Sequence, residues 1–102
     1  MMTHSVYFWL KEGISDDERA VFEAGLKGLF AIDEIDSGSF GKPAGTLERP
    51  VTDHSFSYSL ILNFKSVDDH NVYQDHPEHH RFVENCQQYW ERAVVYDSEV
   101  IG

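Results

Sequence analysis

From His4 to Lys11 the chain alternates, with His4, Val6, Phe8 and Leu10 on one face and Ser5, Tyr7, Trp9 and Lys11 on the other. A period of two is the pattern of a strand with two usable faces. The spacing then changes. Ser15 followed by Glu18 forms an S-x-x-E capping box, and Phe22, Leu26, Leu29 and Phe30 recur at helical spacing, so a helix is predicted to end near Gly28. A short strand over Ile35 to Phe40 precedes the breaker-rich stretch Gly41-Lys42-Pro43-Ala44-Gly45, and a loop extends to about Asp53. The clearest strand follows: Phe56, Tyr58, Leu60, Leu62 and Phe64 alternate with Ser55, Ser57, Ser59, Ile61 and Asn63.

Ser66 with Asp69 caps a short helix through Tyr73, which His76-Pro77 interrupts. Proline at a first helical position restarts a helix. The spacing of Phe82, Val83, Cys86 and Trp90 predicts one from Pro77 to Arg92, and Ala93 to Ile101 reads as the last strand. The order is β-α-β-β-α-β with the second helix in two pieces. That is the ferredoxin-like α+β arrangement, helices on one side of an antiparallel sheet, in a single domain over residues 1–102.

If His4, Val6, Phe8 and the Phe56 to Phe64 series face the helices, then Tyr7, Trp9, Ile61, Val94 and Tyr96 lie on the opposite face. A clustered apolar and aromatic face of that kind marks an interface, so a homodimer packed sheet to sheet is expected. Charge narrows the partners. With 18 acidic against 8 basic residues, the net charge of −10 repels phosphate backbones and anionic headgroups, which argues against nucleic-acid and membrane partners. The single cysteine, Cys86, allows no internal disulfide, and no apolar run reaches membrane-spanning length, so a cytoplasmic setting is expected. Cys86 shares the apolar stripe of Phe82 and Trp90 and reads as a small hydrophobe.

Candidate chemistry concentrates in Val72-Tyr73-Gln74-Asp75-His76-Pro77-Glu78-His79-His80-Arg81-Phe82. Its Y-x-x-H-P-x-H-x-x-F pattern and the opening H-x-V-x-F of the first strand resemble the stress-responsive A/B barrel (Dabb) family over nearly the whole chain. The resemblance implies a ferredoxin-like subunit that pairs into a dimeric α+β barrel. The family includes a plant polyketide cyclase, olivetolic acid cyclase, in which a tyrosine and a histidine of this segment serve a cofactor-free aldol cyclisation. By position they match Tyr73 and His79. The pair makes chemical sense: an imidazole near neutrality can take a carbon-bound proton, and a phenol can donate to the developing enolate oxygen.

The same resemblance implies a ligand pocket formed by His4, Val6, Phe8, Phe22, Leu60, Leu62, Phe82 and Trp90, with Leu26 and Tyr58 at positions where the cyclase has other residues. Val83 replaces a glycine of the cyclase. His76 is added as a pocket candidate, and its simplest role is helix entry. His79 has two readings: a general base, or a buried histidine that hydrogen-bonds a carbonyl or Tyr73. A metal site built from His76 and His80 at i and i+4, with Glu78 between them, needs a third ligand from Asp75 or His54, and Pro77 disturbs that turn. No metal and no cofactor are assigned. Three functions remain: a binder of a small hydrophobic or phenolic ligand, a cyclase- or isomerase-like enzyme using His79 and Tyr73, and a non-catalytic stress or structural protein.

Overall fold

The computed structural model describes residues 1–102. Its elements are β1 (Met2–Leu10), α1 (Asp16–Gly28), β2 (Ser37–Gly41), β3 (Tyr58–Phe64), α2 (Val67–Asp75), α3 (Pro77–Cys86) and β4 (Trp90–Glu99), with short 3-10 turns at Leu29–Ala31 and Gln87–Tyr89. Each helix begins where the sequence supplies a side-chain acceptor. Ser15 accepts from Glu18 N while Glu18 accepts from Ser15 N, both at 3.1 Å. Ser66 caps α2 through Asp69 N. His76 is extended, as a residue before proline must be, which ends α2; its Nδ1 then accepts from Glu78 N at 3.0 Å and starts α3.

The strands form one antiparallel sheet in the order β2-β3-β1-β4, the ferredoxin-like topology. The molecule is only 17 Å thick, one sheet beneath one layer of helices. Met2, Val6, Phe8 and Leu10 of β1 and Leu60, Leu62 and Phe64 of β3 pack against Phe22 and Leu26 of α1 and Tyr73, Phe82 and Cys86 of the α2–α3 pair. The helices cover β1 and β3 but stop short of β4. Val95, on the helix side beside Val6, is therefore 49 % exposed.

Two expectations need correction. The last helix ends at Cys86 instead of Arg92, and Trp90 opens β4. Pairing with β1 wins over helical periodicity there: Trp90 sits opposite Leu10, and Lys11 N donates to Tyr89 O at 2.9 Å. Phe56, expected on the helix side, lies on the opposite face with its ring 5.1 Å from that of Tyr7. The regular strand begins only at Tyr58. Before it, Ser57 N bonds Phe8 O and Ser57 Oγ accepts from Leu10 N, a local irregularity that breaks the alternation.

Candidate functional site

The gap that the helices leave over β4 is a cleft of about 240 Å³. Its floor is His4, Val6 and Phe8 from β1, Leu60 from β3, and Trp90, Ala93, Val95 and Asp97 from β4. Its wall is His70, Tyr73 and Gln74 from α2 and His79, Phe82 and Val83 from α3. The wall exists because α2 and α3 meet at an angle: the extended His76 turns the chain and carries His79 back toward Tyr73. Their ring centroids are 5.0 Å apart, edge to face.

Polar groups gather at one end of this largely apolar cleft. His4, only 3 % exposed, places Nδ1 2.5 Å from Asp97 Oδ1. Strand register makes this contact, since His4 and Asp97 are direct partners across β1 and β4. Burial lowers the His4 pKa, and the hydrogen bond and charge of Asp97 only partly oppose it. The contact is therefore best described as a neutral imidazole donating Nδ1–H to a carboxylate, which leaves Nε2 as the lone pair. His70 lies against His4 with ring centroids 4.8 Å apart and the rings inclined at 56°. Its Nδ1 faces Asn71 Oδ1 at 3.1 Å, and its Nε2 is buried without a partner.

His79 Nδ1 is likewise buried and unpartnered. Burial first, and then the neighbouring His80, His4 and His70, hold its pKa below the ordinary histidine value, so the ring is neutral near pH 7. Burial drives Tyr73 the other way, far above the usual phenol range, and its hydroxyl keeps its proton. The arrangement thus offers a neutral imidazole and a protonated phenol side by side. Chemically, that is one proton acceptor and one hydrogen-bond donor.

Of the residues expected in the pocket, His4, Val6, Phe8, Leu60, Phe82 and Trp90 border the cleft along with Tyr73 and His79. Phe22, Leu26, Tyr58 and Leu62 do not; they are closed into the core, with Tyr58 at its edge donating to Glu23. His76 also stays outside, because its ring serves as the α3 cap. His70 and Asp97 were missed. His70 precedes Tyr73 by one helical turn, a spacing legible in sequence, whereas Asp97 meets His4 only through strand pairing.

On the other side of the sheet, Tyr7, Trp9, Phe56, Ser59, Ile61 and Tyr96 line a shallow 440 Å³ depression, with Val94 beside Tyr7 in the strand register. Tyr7 and Tyr96 lie edge to face at 6.3 Å. Arg92 rests over the Trp9 ring at 4.3 Å, and Trp9 Nε1 donates to Ser55. No helix is long and apolar enough to cross a membrane.

Comparison with known proteins agrees with this architecture. A dimeric ferredoxin-like protein of unknown function from Thermobifida fusca superposes with a TM-score of 0.80 at 19% identity, over 97% of this chain and 90% of that one. A Dabb family protein with a ferredoxin-like fold from Mesorhizobium loti gives 0.78 at 23% identity, over 99% and 97%. A hydroxynitrile lyase from Passiflora edulis gives 0.79 at 21% identity, over 98% and 93%. At these identities the likeness is one of fold. No curated protein matches the sequence. The model of the stress responsive A/B barrel domain matches residues 2–100, and the chain belongs to that family.

Proposed function

We propose that this chain is a homodimer, paired through the uncovered sheet face, whose cleft binds a small, mostly apolar molecule carrying a carbonyl or phenol oxygen. The observation that carries the reading is the cleft itself: an apolar trough with a few convergent polar groups at one end, the usual composition of a small-molecule site. Its size limits the ligand. A dry cavity of about 150 Å³ accommodates benzene, so 240 Å³ is room for one substituted ring. Dimeric neighbours of the same fold support the pairing.

A second reading concerns chemistry at that site. The Tyr73–His79 pair supports proton transfer, with His79 taking a proton from a carbon next to a carbonyl and Tyr73 donating to the oxygen that gains charge. A hydroxynitrile lyase shares the fold, so an enzyme of this architecture has precedent.

Thermal denaturation with single-ring phenols and aryl ketones tests the first reading. A ligand at about 100 times its Kd adds about 2.7 kcal/mol, which raises Tm by roughly 10 °C or more in a domain of this size. Ala93→Trp, which fills the cleft from the exposed strand, should abolish that shift while leaving the unliganded Tm in place. If no such compound stabilises the protein, or if Ala93→Trp responds like the parent, the binding proposal fails. For the second reading, deuterium exchange at the α-carbon of a bound aryl ketone should vanish in His79→Ala; exchange at an undiminished rate would remove His79 as the base.

A further inference from the structure

We propose that His4, His70 and Asp97 form a binding site for a divalent ion of the zinc class. Each residue offers one donor atom, and the three atoms lie within 4.8 Å of one another. Two imidazoles and a carboxylate are the ligand set that zinc and its neighbours in the transition series prefer, and one that magnesium and calcium do not. The donor atoms of a tetrahedral zinc site stand about 3.3 Å apart, so the widest separation in the cluster must close by about 1.5 Å. Asp97, with a half-exposed side chain on an edge strand, and His70, only partly buried, have room for that movement.

The state of His70 is the independent observation. Its Nδ1 faces the Asn71 side-chain oxygen, which only accepts, so in the neutral ring Nδ1 carries the proton and Nε2 holds a lone pair. That nitrogen is buried with no donor in reach. A buried acceptor without a partner is costly, and an ion shared with His4 and Asp97 would satisfy it. The cleft next to the cluster leaves a coordination position open to water or to a ligand's oxygen. The overall charge of −10 favours a cation.

This site differs from the one that the sequence spacing suggested. His76 is occupied as a helix cap, and His80 is an exposed partner of Asp75 at 3.4 Å. Its three ligands line the cleft described above, but its test reads the metal alone and does not require that the cleft bind an organic ligand.

Titration calorimetry with Zn²⁺, on protein stripped by a chelator, should give one tight site per chain. His70→Ala should remove it, and Asp97→Asn, which takes the charge from one of the three ligands, should weaken it by about 10-fold or more. The double variant His76→Ala/His80→Ala should bind like the parent. Zinc anomalous scattering from soaked crystals of the unaltered protein locates the ion without any variant, and the expected peak lies between His4 and His70. A peak at the exposed histidines, retention of the site in His70→Ala, or no stoichiometric binding would each overturn the proposal.

Discussion

At the residue scale, His4 and His79 carry the sharpest consequence for stability. Both have folded-state pKa values below the 6.5 of an unperturbed histidine, mainly because burial disfavours the imidazolium. The unfolded chain therefore binds more protons than the folded one as the pH drops past that value. Their contribution is fully present above 6.5 and is lost as the pH falls through it toward the folded-state values. Tm should decline as the pH falls below about 6.5, where the decline begins above the range in which most carboxylates titrate. His79→Gln should flatten that decline, and an unchanged profile would show that another group carries it. The residues behind this prediction were unequally legible. Tyr73 and His79 stand out in a dense local motif. Asp97 gives no local hint of its partner, because it meets His4 across 93 positions of sequence and only through the register of β1 with β4.

At the element scale, local chemistry accounts for the helix starts. The reciprocal Ser15–Glu18 cap satisfies backbone amides that the first turn leaves free, and Ser15→Ala should cost about 1 kcal/mol in chemical denaturation. Packing between helices is less forgiving. A Cβ on Gly25 of α1 would sit 2.7 Å from Cys86 Sγ and 3.1 Å from the Phe82 ring. Gly25→Ala gains about 1 kcal/mol of helix propensity but meets an overpacking cost of about 1–3 kcal/mol, so it should be net destabilising. Adding Cys86→Ala to it should recover part of the loss in a double-mutant cycle; strictly additive effects would contradict the close approach. Helix ends proved harder to read than starts. Trp90 continues the apolar spacing of Phe82 and Cys86, yet it belongs to β4, where its ring still stacks on Phe82 at 5.9 Å. Helical periodicity and the inward face of a strand gave the same residue the same environment, and only the pairing with β1 separates them.

At the scale of the whole molecule, a single sheet with helices on one side leaves Tyr7, Trp9, Phe56, Ile61, Val94 and Tyr96 on an uncovered face. Tyr96 is 64 % exposed, so Tyr96→Glu has little to disturb within one chain. In the proposed homodimer it would place two carboxylates in an apolar interface. Light scattering should therefore report a dimer for the parent and a monomer for Tyr96→Glu with an unchanged circular dichroism spectrum; a monomeric parent would dismiss the pairing. Sequence alone determined the order of strands and helices, the two-faced sheet, the caps and the Tyr73–His79 motif, because each rests on neighbours within a turn or a strand. Tertiary structure decided the rest: where α3 yields to β4, which aromatic residues close into the core instead of facing the cleft, and how His4, His70 and Asp97 come together. Those outcomes depend on strand register and on how far the helices reach across the sheet, and no local pattern encodes either.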